Sequence, residues 1–267
     1  MIENRYESTR STGDRQVAAV ILAAGKGTRM MDSDLPKVVH EVAGQPMIRW
    51  VVRAVREMSA RPIVLVVGYR AELVREVFQG DDDDLVYVTQ EPQLGTGHAV
   101  GCAKEALADF NGDVFVLAGD GPLIQATTLR RMLDRQQQSA AAATLATAML
   151  DDPTGYGRII RDAQGKFDAI VEHANANEQQ QTIHEVYPSY ACFDAGLLFD
   201  SIDKLEPNPT TGEYYLTEAP ALLRANECKI ELVNGVPPED VLSINTPQQL
   251  AEVDSILSKR VRVQEKA

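Results

Sequence analysis

Four side chains far apart in the sequence are of types that could handle a polyphosphate: Arg29, Lys37, Asp120 and Asn245. Arg29 closes the segment Leu22-Ala23-Ala24-Gly25-Lys26-Gly27-Thr28-Arg29-Met30, where two glycines and two cations follow the apolar run VAAVIL. Glycine lets the backbone approach an oxygen-rich group closely, and Lys26 and Arg29 can neutralise a phosphate tail. The segment matches neither GxGxxG nor GxxxxGK[ST], so it reads either as a phosphate cradle of another kind or as a tight βα turn. Lys37 follows Leu35-Pro36, a pair with restricted backbone, and is either held at a set distance from the Gly25 turn or an ordinary surface lysine. Asp120 ends the apolar run DVFVLAGD, and Asn245 follows VLSI. Hard Mg²⁺ takes oxygen ligands and keeps several waters, so one carboxylate and one amide oxygen suffice if substrate phosphates complete the shell. The alternative is a turn aspartate and a helix cap.

A second glycine-bearing stretch, Gln90-Glu91-Pro92-Gln93-Leu94-Gly95-Thr96-Gly97-His98, lies between an expected strand and an expected helix. An amide such as Gln90 both donates and accepts, which suits a nucleobase edge; a plain loop and cap is the competing reading. His98 has no metal-spaced partner and reads as structural.

The elements that must hold these residues follow from periodicity. Val17 begins a buried strand, Met47–Met58 carries Ile48, Val51, Val52 and Val55 at helical spacing, and PIVLVVG from Pro62 is a second strand. This βαβ unit implies a parallel sheet. Ala71–Phe78 and His98–Phe110 are read as helices, LVYVT and DVFVLA as strands, and Asp81–Asp84 as a solvated loop. From Ala141 the shorter segments rich in β-branched and aromatic residues predict a mixed, partly antiparallel extension. Tyr214–Ala225, interrupted by Pro220, and Pro247–Leu257 read as helices, the latter preceded by a strand-like VLSIN. The fold expected is α/β, a Rossmann-like, mostly parallel sheet with a mixed β-rich lobe. Residues 1–15 are expected to form a flexible tail and 16–260 one nucleotidyltransferase-sized domain.

A net charge of −13 without a Lys/Arg stripe argues against nucleic acid. Cys102, Cys192 and Cys228 suggest neither disulfides nor zinc, and no segment has the length of a membrane span, so a cytoplasmic protein is expected. Nothing in the sequence fixes an oligomeric state.

Taken in order, LAAGKGTRM, SDLPKVVHEVAGQPM, QLGTGHAV, Gly119-Asp120, DDPTGYGRI, IVEH, GEYYLT and the Asn245 segment resemble the N-terminal uridylyltransferase domain of the bacterial bifunctional enzyme that makes UDP-N-acetylglucosamine. The resemblance covers about Val17 to Leu257. It implies a Mg²⁺-dependent reaction of UTP with a sugar 1-phosphate, most directly N-acetylglucosamine 1-phosphate, releasing pyrophosphate. It places Leu22, Ala23, Ala24 and Gly25 around the nucleotide, Arg29 and Lys37 on the triphosphate, and Gln90, Gly95 and Thr96 around uracil. Asp120 and Asn245 would hold Mg²⁺, while Gly157, Glu172, Tyr215 and Thr217 would line the sugar-phosphate side and so make the β-rich lobe the sugar-binding one. The chain departs from the family at Ala118, often Tyr, and at Tyr187-Pro188-Ser189, usually Asn-Thr-Gly, where the Asn contacts the sugar. Another sugar phosphate, dTTP or CTP in place of UTP, or a catalytically silent nucleotide sensor are the alternatives. The family's acetyl-transferring β-helix is not in the sequence, so no acetyl transfer is expected.

Overall fold

The computed structural model describes residues 15–30 and 34–264. The tail expected over residues 1–15 lies outside the described residues except for Arg15, whose guanidinium pairs with Asp194 at 2.9 Å.

Strand β1 (Val17–Ala23) leads through a short hairpin, β2 (Glu41–Val42) and β3 (Gln45–Pro46), into helix α1 (Met47–Arg56). Then come β4 (Ile63–Val67), α2 (Ala71–Val77), β5 (Leu85–Thr89), α3 (Thr96–Cys102), β6 (Asp113–Ala118), α4 (Ala126–Ser139) and β7 (Ala143–Ala146). The second half adds β8 (Ala148–Met149), β9 (Gly157–Arg161), β10 (Phe167–Val171), α5 (Glu178–Gln181), β11 (Glu185–Tyr187) and β12 (Tyr190–Asp194). Helices α6 (Ala195–Ile202) and α7 (Ala219–Ala225), strand β13 (Ile230–Val233) and helix α8 (Pro247–Gln264) complete the chain.

Seven strands form a central sheet in the order β13-β7-β12-β6-β1-β4-β5. Every adjacent pair is parallel except the two made by β12, which runs against both β6 and β7. Period-two alternation puts Ala19, Ile21 and Ala23 of β1 in one core with Ile48, Val51 and Val55 of α1, Met132 of α4 and Val253 of α8. Ala18 and Val20 face the other core, with Val100 of α3, Leu198 of α6 and Leu223 of α7. Both faces of the sheet are therefore covered, as a parallel sheet requires. A four-stranded antiparallel sheet, β10-β9-β11-β8, forms the mixed lobe expected after Ala141.

Chain order reverses at β1: β4 and β5 extend one way and β6 lies on the other side. In open sheets of this kind the crevice beyond the strand C-termini at the reversal is where ligands bind. The C-terminal ends of β1 and β6 are joined there by the bond from Gly119 N to Leu22 O, 2.9 Å.

Several elements differ from their sequence reading. VLSIN is not a strand: its first residue closes a 3-10 turn (Pro238–Val241), Ser243 N donates to the Tyr156 hydroxyl and Ile244 N to Asp120 O, so these amides serve the site instead of a ladder. Pro220 does not interrupt its helix but sits in the first turn of α7, where the missing N–H costs nothing. The helix expected over His98–Phe110 stops at Cys102, and a separate 3-10 turn (Glu105–Leu107) follows. The Asp81–Asp84 loop is on the surface, yet Asp84 is bound by Arg56 at 2.6 Å and Arg61 at 3.0 Å.

Candidate active site

The turn after β1 is shaped by Gly27, which adopts φ +70, a conformation that favours glycine. A Cβ on Gly27 would lie 2.6 Å from Lys37 Cβ, so the glycine lets the turn press against the lysine stem. The 3-10 turn Thr28–Met30 carries Arg29, and a second one, Lys37–Val39, begins directly after Pro36. Lys26, the other cation of the first turn, stacks over the Tyr69 ring at 5.2 Å and does not line the cleft described below.

Lys37 Nζ donates to Asp120 Oδ2 in a tight ion pair and to Asn245 Oδ1 at 3.0 Å. Arg29 donates to the same Asn245 oxygen at 2.9 Å. The side-chain amide is oriented by Nδ2, which donates to Ser243 Oγ at 3.2 Å, and the backbone of Asn245 is held by its N–H donating to Gln249 Oε1 at 2.8 Å. The 3.0 Å bond from Ile244 N to Asp120 O ties this segment to the end of β6. Thus the two expected oxygen ligands and the two expected phosphate cations meet in one cluster.

A cleft of about 630 Å³ opens beside that cluster. Its lining includes Leu22, Ala23, Ala24, Gly25, Arg29, Lys37 and Asp120, then Gln90, Gly95 and Thr96, then Glu172, Tyr215 and Thr217. Gly157 and Asn245 do not line it. Gly157 stands behind Glu172, where a side chain would meet Ile170 Cγ2 at 2.8 Å. Asn245 acts through its oxygen on Arg29 and Lys37.

The Gln90 stretch and the GEYYLT stretch are zipped together. Gly95, at φ +95, caps α3, and a Cβ there would lie 2.6 Å from Tyr214 O. Tyr214 N donates to Leu94 O and Gly97 N to Tyr214 O, both 2.8 Å, and Leu216 N donates to Thr96 Oγ1 at 3.0 Å. Gln90 spends its amide NH₂ on Gly95 O at 2.9 Å and on His98 Nδ1 at 3.1 Å, leaving its carbonyl as an acceptor. His98 Nδ1 thus accepts from Gln90 and braces this turn. Thr217 Oγ1 donates to Glu172 Oε1 at 2.9 Å. Burial pushes the Glu172 carboxyl above its ordinary range, and the Thr217 bond offsets this in part.

The cleft also contains residues that sequence reasoning missed. Gln93 donates to Ala24 O at 2.6 Å and bridges the two glycine turns; its neighbour Gly95 was the signal, but Gln93 itself reads as loop. Glu213, beside Tyr215, and Val116 and Leu117 of β6 line it too. So do Tyr187 and Ser189, noted above only as departures from a family pattern.

Comparison with known proteins fits this geometry. Bifunctional protein GlmU of Geotalea daltonii is 43% identical over 249 residues, covering 92% of this chain and 53% of that protein. GlmU of Pelobacter propionicus is 43% identical over 245 residues, and that of Clostridium botulinum (strain 657) 41% over 243, with 92% and 91% of this chain covered and 53% and 52% of theirs. The chain spans about half the length of the curated relatives it matches. A solved structure of UDP-glucose pyrophosphorylase complexed with UDP-glucose shares the fold at a TM-score of 0.76, with 16% identity, covering 92% of this chain and 99% of that one. Residues 19–198, from β1 through the antiparallel lobe into α6, match the MobA-like NTP transferase domain, and the chain belongs to that family.

Proposed function

We propose that this protein transfers a uridylyl group from UTP to a sugar 1-phosphate, with N-acetylglucosamine 1-phosphate the first candidate, and releases pyrophosphate. The observation that carries the reading is the meeting of Arg29, Lys37, Asp120 and Asn245 beside a cleft at the switch point of an NTP transferase fold. It rests also on the likeness to GlmU over most of this chain.

Leu22 to Gly25 hold the nucleotide against the end of β1, and the unspent Gln90 carbonyl accepts the uracil N–H. Arg29 and Lys37 receive the triphosphate and offset charge on the departing pyrophosphate. The sugar-phosphate oxygen is already anionic near neutral pH, so the chain's residues need supply no general base. Alignment of that oxygen with the α-phosphorus and neutralisation of charge carry the rate.

The donor set suits Mg²⁺. Among the described residues no group of three or more His, Cys, Asp or Glu could form a protein-only metal cage. Asp120 and Asn245 instead offer two hard oxygens already converging on one positive centre, the Lys37 ammonium. Mg²⁺ held there with the phosphates would supply charge neutralisation across the reacting groups. On binding of the nucleotide Lys37 exchanges its two oxygen partners for phosphate.

The test is a screen of pyrophosphate release by the purified protein with UTP, dTTP and CTP against a panel of sugar 1-phosphates, with and without Mg²⁺. UTP-dependent, Mg²⁺-dependent release with at least one hexose phosphate is expected. Nucleotide binding without release for any pair would overturn the enzymatic reading in favour of a sensor.

A further inference from the structure

Two tyrosine hydroxyls fasten the segment that carries Asn245 to the strand end that carries Asp120. Tyr190, at the start of β12, is 1% exposed, and its hydroxyl lies 3.2 Å from Asp240 O and 3.4 Å from Gly121 O. One phenol thus reaches both the residue after Asp120 and the turn that leads to Asn245. Tyr156, just before β9, donates its hydroxyl to Val241 O at 3.3 Å and accepts from Ser243 N at 3.2 Å. Burial raises the Tyr190 phenol well above its ordinary pKa, and the nearby Asp120 carboxylate and Tyr156 phenol add to the effect. Its proton therefore stays available to the two carbonyls.

Gly121 is fitted to this contact. A Cβ on it would lie 2.5 Å from the Tyr190 hydroxyl oxygen and 3.2 Å from Cε1, so a side chain directly after Asp120 would drive the phenol away. A buried ring can pack without an oxygen; here the main chain beside an expected metal ligand gives up its side chain so that a hydroxyl can enter. Tyr190, Tyr156 and Gly121 do not line the cleft, so their effect must pass through the residues they hold.

What they hold is the spacing of two oxygens. In the free protein Asp120 and Asn245 both converge on Lys37, and in the proposed reaction Lys37 turns to phosphate. That side-chain link is then gone, and the spacing rests on the main chain: the 3.0 Å bond from Ile244 N to Asp120 O and the grip of the two phenols. Mg²⁺ demands near-octahedral geometry with oxygens at about 2.0–2.1 Å, and sites of this kind tolerate errors of only about 0.5 Å. Resting on the nucleotidylyl-transfer reading above, we infer that Tyr190 is a positioning residue: its hydroxyl, admitted by Gly121 and with Tyr156 beside it, holds the Asp120 and Asn245 segments at the spacing a divalent cation needs.

The test reads metal binding apart from turnover. Tyr190→Phe removes one oxygen and keeps the ring, and a thermal melt checks the fold. Mn²⁺, which suits the same oxygen ligands, is titrated into wild type and variant with a non-hydrolysable UTP analogue, free ion being followed by electron paramagnetic resonance. Removing a group that orients metal ligands typically costs 10- to 100-fold in metal affinity, so the variant should bind Mn²⁺ about tenfold more weakly. It should need about tenfold more Mg²⁺ for half-maximal pyrophosphate release. Binding of the analogue in EDTA and the KM for the sugar phosphate at saturating Mg²⁺ should not change. Gly121→Ala should give the same loss, and adding Tyr190→Phe to it should give no further loss, because both act on one contact.

A tyrosine that only supports the fold would lower the melting temperature and leave the Mn²⁺ affinity and the Mg²⁺ midpoint as in wild type. That result in Tyr190→Phe, or in Gly121→Ala should the first variant not fold, would overturn the inference and leave the proposed reaction standing. A weakened Mn²⁺ affinity in the variant, with no pyrophosphate release by wild type for any sugar phosphate, would support the inference and overturn the proposed reaction alone.

Discussion

The Lys37 ammonium lies 3.0 Å from the Asn245 amide oxygen, a bond between residues 208 apart in the chain, and the same ammonium is ion-paired to Asp120. Lys37 and Asp120 are largely buried, with side-chain exposures of 17% and 16%, so water screens this contact poorly. Asp120→Asn keeps the shape and removes the charge. It should lower kcat by about 10²- to 10³-fold, the cost typical of losing a preorganised electrostatic group. It should also raise the Mg²⁺ concentration that gives half the maximal rate. Rates across a Mg²⁺ titration check both; a variant with parental kcat and Mg²⁺ dependence would remove Asp120 from the mechanism.

Gly95 offers a test of backbone positioning that changes no charge. Its φ of +95 strains any L side chain, and the added Cβ of Gly95→Ala would meet Tyr214 O at 2.6 Å and Glu213 Cβ at 2.9 Å. The α3 turn must then separate from the segment that carries Tyr215 and Thr217. A misplacement of about 1 Å can cost a hundredfold in rate. The expected outcome is a fall in kcat/KM for UTP of that order with the melting temperature lowered by a few degrees, measured by steady-state kinetics and thermal denaturation.

The parallel half of the fold was legible because β1, β4 and β6 are compact apolar runs, and buried parallel strands need no alternation to be seen. Strand β13 was not, since Ile230–Leu232 is only half-buried at a sheet edge and mixes a glutamate among its apolar residues. Helix α4 also had no counterpart in the sequence reading, although Leu129, Met132 and Leu133 are spaced to bury one stripe. At the site, glycine turns and isolated charges could be named individually, but their convergence could not be read from spacing. The contact of Asn245 with Arg29 and Lys37 depends on Ser243 and Ile244 bonding Tyr156 and Asp120, which no local pattern encodes. Tyr187 stood out against a family pattern only, and its place in the cleft wall needed the structure.

The acid limb of stability should be set in part by Asp84. The Arg56 guanidinium bound to it holds its carboxyl below the ordinary 3.8, with Arg61 adding to the effect. The folded state thus binds this proton less readily than the unfolded chain. The stabilisation is present above the ordinary value and is lost as pH falls through the folded one. Asp84→Asn should destabilise the protein by about 1–2 kcal/mol at neutral pH, because Arg56 loses its charged partner. The deficit relative to wild type should shrink in acid. Urea melts at pH 7 and at about pH 3 distinguish this from a pH-independent loss of packing.

Glu172 should act in the opposite sense. Burial raises its carboxyl above the ordinary 4.5, so the folded state binds the proton more tightly than the unfolded chain. By linkage, stability then falls as pH rises from the unfolded value through the folded one, and the full cost of the buried charge is present at neutral pH. Glu172→Gln removes that charge while keeping an oxygen to accept the Thr217 hydroxyl. The variant should therefore melt above wild type at pH 7, with the difference closing as pH falls below about 4.5. Under the proposed reaction it should also lose activity, because the amide presents an N–H to the cleft where the carboxylate presents a second acceptor oxygen. A gain in stability with a loss of turnover is the pattern of a charge retained for its substrate. If thermal melts between about pH 4 and pH 8 show wild type and variant in parallel, the carboxylate carries no such burden.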